Sequence, residues 1–186
     1  MLEQVHVTPD GVKYRLVAIR ASTRAMEPQL KVLRAQTATV EVIISDSRLA
    51  KFGSQFGHAA IIVNGIAYSR APTRYDAKRT YAEYVSDQRN FRDSTGYVLR
   101  VSPQEERAIE AELKRRVEAS NHDPVRHSYS LLGNSCSSNV ADVLRQVGIL
   151  AHDPRGFGIV SPADLAVGLS HSKRVKEKRF YRKIGS

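Results

Sequence analysis

The sequence predicts an α+β domain in which an antiparallel sheet packs against a helix opening on the chain's single cysteine. Three stretches carry that expectation. Between Gln55 and Arg70, two apolar runs flank Asn64-Gly65, the pair that calls for a two-residue type I′ hairpin turn. Behind Cys136, apolar residues fall at Val140, Val143, Leu144 and Val147, the stripe of an amphipathic helix. Ser102-Pro103-Gln104-Glu105 carries an N-cap serine, a first-position proline and a capping-box glutamate, so it opens a second helix.

The other elements follow in chain order. Val12 to Ala21 has strand character after the turn signal Pro9-Asp10-Gly11. A short helix is expected around Leu30 to Arg34, then a β-branched strand from Thr37 to Ser45. Thr95 to Val101 reads as another strand. It feeds the helix that starts after Ser102, whose Ile109, Leu113 and Val117 share one face while Glu110 and Lys114 pair on the outside. Ser161-Pro162-Ala163-Asp164 repeats the start signal and predicts a short helix to about Leu169, preceded by a loop at Arg155 to Gly158.

The 186 residues suffice for one domain with a full core. Along the chain, residues 1–50 are expected as N-terminal strands of that domain, 51–170 as its core and 171–186 as a basic tail. Net charge is +10, of which +6 lies between His171 and Ser186. Such a run suits an anionic surface or acidic partner, and a solvated extension or a final strand serves equally as its structural explanation. No nucleic-acid-binding signature accompanies it. One cysteine forms no internal disulfide. The start Met1-Leu2-Glu3-Gln4 lacks the pattern of a signal peptide, and no run approaches the roughly 18 apolar residues of a membrane span.

The hairpin fixes a register. Val63 faces Ile66, Ile62 faces Ala67, Ile61 faces Tyr68, Ala60 faces Ser69 and His58 faces Ala71. His58, Ala60 and Ser69 therefore share one side, with Ser69 diagonal to the imidazole, while Tyr68 points away. In the second key stretch, Asn134 or Ser135 serves as N-cap and Cys136 lies in the first helical turn. Unpaired N–H groups and the dipole there favour a thiolate and would receive an oxyanion. A lone cysteine is more simply a small buried hydrophobe. The polar setting Asn134-Ser135-Cys136-Ser137-Ser138-Asn139 argues against that default.

Gly57-His58-Ala59-Ala60-Ile61-Ile62-Val63-Asn64-Gly65, Tyr129-Ser130-Leu131-Leu132-Gly133-Asn134-Ser135-Cys136-Ser137 and Ser161-Pro162-Ala163-Asp164-Leu165 together resemble the circularly permuted NlpC-like branch of the papain-fold cysteine hydrolases. Relatives of lecithin:retinol acyltransferase, YiiX-type proteins and toxin domains of bacterial secretion effectors belong to that branch. The resemblance spans about Phe52 to Leu169. It implies a permuted papain-like fold with Cys136 as nucleophile and His58 as general base. The third, polar residue of the family lies on the strand after the histidine, commonly as His, Asn, Asp or Glu. Ala67-Tyr68-Ser69-Arg70 contains none of these, and Ser69 takes the place because the register puts it on the His58 side. Tyr129 and Asn134 would line the substrate cleft.

His127 lies close to Cys136 in sequence but lacks a strand context, and His6, His122, His152 and His171 fall in polar or irregular stretches. No metal-ligand spacing or phosphate loop occurs, so neither metal nor cofactor is expected. By resemblance, the chain is a toxin-like amidase or peptidase that cleaves peptidoglycan stem peptides, delivered by a contact-dependent secretion system or a phage particle. An immunity protein or secretion-apparatus component is then the expected partner. Lipid hydrolysis or acyl transfer, and a non-catalytic virion or secretion module, are the alternatives.

Overall fold

The computed structural model describes residues 4–7, 13–16, 38–46, 57–130, 133–151 and 160–185. The chain divides into two units, Met1–Ala35 and Gln36–Ser186. In the first, β1 (Gln4–Val7) and β2 (Lys13–Leu16) form an antiparallel ribbon. The Pro9-Asp10-Gly11 turn and the short helix expected around Leu30 lie outside the described residues, as does the loop at 155–158.

The second unit is built on a six-stranded sheet. Its strands are β3 (Ala38–Ser45), β4 (His58–Val63), β5 (Ile66–Ala71), β6 (Arg74–Thr80), β7 (Ser94–Val101) and β8 (Val175–Tyr181). They lie in the order β6-β5-β4-β3-β7-β8, and every neighbouring pair is antiparallel. The expected α+β class with an antiparallel sheet is what the chain adopts. Grouped from sequence with the first fifty residues, β3 instead occupies the middle of this sheet. Its run Val40 to Ser45 is buried at every position, as befits a strand covered on both faces.

The two faces differ. One carries Val40, Val42, Ile44, Ala59, Ile61 and Val63, which pack against α2 (Pro103–His122), α3 (Cys136–Gln146) and α4 (Pro162–His171). The other carries Ile43, Ala60, Ile62 and Ala67 under Tyr84 of α1 (Tyr81–Arg89). Alternation of side chains along β4 thus divides Ala59 and Ile61 from Ala60 and Ile62. Ser102 and Ser161 cap α2 and α4 with reciprocal Glu105 and Asp164 contacts, as their sequences require.

The hairpin register is observed at Ala60↔Ser69, Ile61↔Tyr68, Ile62↔Ala67 and Val63↔Ile66. Asn64 and Gly65 both take positive φ, 48° and 75°, the conformation a type I′ turn demands. The ladder stops there. Ala71 pairs with Arg74 of β6, and a register shift between Ala67 and Ser69 bends β5 toward that strand. The expected pairing of His58 with Ala71 is therefore absent; on its other side His58 pairs with Ser45 of β3.

The basic C-terminal run is largely folded into the sheet. Val175–Tyr181 forms an edge strand, and the buried carboxylate of Glu41 accepts from the Tyr181 hydroxyl at 2.5 Å and from Arg179 Nη1 at 3.1 Å. Gly96, on the neighbouring strand, makes room for this pairing, because a Cβ there would collide with Glu41 Oε1. Exposed Lys176 and Lys178 on the same strand as Arg179 oppose pairing with a further chain. Among the described residues no helix is long and apolar enough to cross a membrane.

Candidate active site

Cys136 is the first residue of α3, and the polar residues around it build the helix entrance. Ser135 is the N-cap, its Oγ accepting from the Ser138 N–H at 3.1 Å while Ser138 Oγ accepts from the Ser135 N–H at 2.8 Å. Ser137 Oγ donates to the carbonyl of Val160, tying the helix to the segment before α4. Asn134 is a clamp. Its Nδ2 donates to the carbonyls of His127 and Ser128 at 3.1 and 2.7 Å, and its Oδ1 accepts from Asn139 Nδ2 at 2.8 Å. Asn134 therefore holds the loop with both ends of its amide, and it also lines the cavity beside that loop. Much of the small polar setting is thus capping chemistry.

The sulfur is enclosed, with Cys136 only 4% exposed. Its surroundings are nonetheless mixed. The main-chain N–H groups of Ala59 and Ser137 and the Tyr129 hydroxyl favour the thiolate, yet burial outweighs them and pushes the thiol pKa up. The thiol depressed by a helix terminus that the sequence suggests is therefore corrected: loss of solvation exceeds the help of nearby donors. Tyr129 feels the same contact in reverse. Burial and the neighbouring sulfur raise its hydroxyl to about 12.

His58 opens β4 behind Gly57, whose φ of 85° strains any other residue and where a Cβ would stand 2.8 Å from the Ser45 carbonyl oxygen. The His58 Nε2 lies 2.7 Å from Ser69 Oγ. This contact belongs to a polar row that crosses four strands at one end of the sheet. Ser45, opposite His58, accepts from Ser94 Oγ at 2.8 Å and donates to Gln88 Oε1 of α1 at 3.2 Å. Burial, then the positive charges of Arg92 and Arg79, lower the His58 pKa to about 4. The imidazole is consequently neutral at neutral pH.

Cys136 and His58 approach each other through the backbone of β4. The sulfur lies against the N–H of Ala59, the residue directly after His58. The imidazole reaches toward Ser69 on the α1 side, whereas Cys136 packs with Ala59 and Ile61 on the α3 side. No hydrogen bond joins the two side chains in this conformation. Both are neutral, by burial of the thiol and by burial and two guanidinium groups beside the imidazole.

Sequence reasoning missed α1, and with it Gln88, which holds Ser45, and Tyr84, which covers the α1 face of the sheet. A signal was present: Thr80-Tyr81-Ala82-Glu83 is a capping box, and both of its reciprocal contacts form. Also unread was Arg70, which is buried behind Tyr129 with its guanidinium carbon 5.9 Å from that ring. Among the described residues no group of three His, Cys, Asp or Glu side chains is placed to hold a metal ion. Comparison with protein-family models, curated proteins and solved structures yields no match.

Proposed function

We propose that the protein is a thiol hydrolase that cleaves an amide bond, with Cys136 as nucleophile, His58 as general base and Ser69 positioning the imidazole. The observation that carries this is the 2.7 Å contact of Ser69 Oγ with His58 Nε2 while the residue after His58 offers its N–H to the Cys136 sulfur. It leaves Nδ1 of the ring as the nitrogen for proton transfer. Because thiol and imidazole are both neutral at rest, the proton moves only as the carbonyl is attacked, and the nucleophile is not a preformed thiolate.

The steps then balance simply. The first requires the imidazole and the sulfur, which lie on opposite sides of β4 in this conformation, to be brought together. The Cys136 proton then passes to His58 as the S–C bond forms. The imidazolium gives that proton to the departing amine as the C–N bond breaks. Water, deprotonated by the same ring, releases the acyl group and restores the thiol. Ser138 and Asn139 spend their N–H groups on Ser135 and that of Ser137 faces the sulfur, so the N–H of Cys136 is the donor left at the helix mouth for an oxyanion. The sequence resemblance suggests peptidoglycan stem peptides as substrate. Purified peptidoglycan incubated with wild type, Cys136→Ala and His58→Ala tests it: new muropeptides by mass spectrometry from the wild type alone support the proposal, and identical profiles reject it.

A second reading is favoured by the buried sulfur and its raised pKa. In it the thiol is core and His58 is a member of the polar row against α1, in a non-catalytic module. Retention of the biological effect in both variants would establish it.

A further inference from the structure

A cavity of about 160 Å³ opens beside the Cys136 loop, walled by Arg70, Tyr75, Arg115, Arg116, His127 and Asn139. Three arginines line it, and their charge requires compensation. Glu112 supplies part of it, taking Arg115 Nε and Arg116 Nε at 2.7 Å each. Asp142 lies 3.9 Å from Arg116 but is 2.8 Å from Arg145, which claims it.

Arg70 receives no such help. It is 4% exposed, and among the described residues its guanidinium meets no carboxylate. Nη1 donates to the Ala71 carbonyl at 3.2 Å and Nη2 to the His127 carbonyl at 2.5 Å, while the Tyr75 and Tyr129 rings stand 6.0 and 5.9 Å away. Carbonyl dipoles and ring faces solvate a cation without neutralising it. A buried charge lacking a counterion is costly, and arginine cannot shed its proton to escape that cost. Donors also remain. Arg70 has five N–H groups and spends two on carbonyls, and Arg116 Nη2 is uncommitted. Asn134 and Asn139 have used their amide N–H groups on the loop, so the charged donors of the cavity are guanidinium groups, with Tyr75, Ser120 and His127 beside them.

The geometry points to a compact oxyanion, the phosphate or carboxylate group of a small ligand, as the occupant of this cavity between Arg70 and Arg116. Guanidinium forks match the paired oxygens of either group. The site is independent of any chemistry at Cys136, although the Tyr129 ring lies 5.9 Å from the Arg70 guanidinium and its hydroxyl meets the sulfur.

The test is thermal unfolding and calorimetric titration of the full chain with sodium phosphate, sodium acetate and sodium chloride at matched ionic strength. Phosphate or acetate should give a saturable heat of binding and raise the melting temperature by about 3–6 °C at ten times its dissociation constant, climbing further with the logarithm of concentration, where chloride does neither. Saturation by phosphate alone assigns a phosphorylated ligand, and by acetate alone a carboxylate. Arg70→Gln should weaken binding at least tenfold and Arg115→Gln, at the mouth, severalfold, with Arg107→Gln on the same helix unchanged. Equal responses to all three salts overturn the site. So does undiminished binding in Arg115→Gln together with either undiminished binding or failure to fold in Arg70→Gln.

Discussion

Ser69 Oγ and His58 Nε2 sit 2.7 Å apart although eleven positions separate them in the chain, because the Asn64-Gly65 turn brings β5 back along β4 in a single register. The next residue back, Tyr68, points to the opposite face and is buried among α2 and α3 contacts. Ser69→Ala should therefore lower hydrolysis about fivefold, the consequence of losing one hydrogen bond of roughly 1 kcal/mol. Tyr68→Phe should leave the rate within twofold. A reversed ranking in muropeptide assays would remove Ser69 from its positioning role.

His58 also gives stability a pH dependence. Its folded pKa of about 4 lies below the ordinary histidine value of 6.5, so between those values the unfolded chain binds the extra proton. Its contribution is complete above about 6.5 and is lost as pH falls toward 4. Urea unfolding of wild type should show the midpoint dropping over that window, with His58→Gln showing a shallower decline. Parallel profiles would mean the imidazole is not held neutral.

Cys136 should resist alkylation. With the thiol raised by burial, iodoacetamide should label native protein at pH 7 at least tenfold more slowly than urea-unfolded protein, and Tyr129→Phe should not accelerate it. Rapid labelling of the native chain at pH 7 would show an exposed thiolate instead, and so a different helix entrance.

Gly96→Ala should destabilise the sheet by about 1–3 kcal/mol, since the added methyl collides with Glu41 and displaces it from Arg179 and Tyr181. Denaturant melts measure this directly. A loss smaller than that of an ordinary exposed-strand substitution would mean Glu41 has room to move aside.

Much of the scaffold was legible because the signals are local. The Asn64-Gly65 turn, the Ser102 and Ser161 capping boxes and the Val140, Val143, Leu144 stripe each depend on residues within a few positions of one another, and each forms as read. Helix α1 went unread because its apolar face is little more than Tyr81, Tyr84 and Val85, too sparse to register as a period without its capping box. For the C-terminal run the sequence left a solvated extension and a final strand open, since β8 buries little and is held by Glu41, 138 positions from Arg179.

By itself, then, the sequence determined the α+β class, the hairpin, the helix starts and the placement of Cys136 in a first turn. Tertiary structure alone decided what surrounds those residues. Solvation is a property of everything packed against a group, so the raised thiol of Cys136, the neutral imidazole between Arg79 and Arg92, and the uncompensated charge of Arg70 follow from contacts across the sheet that no local pattern encodes.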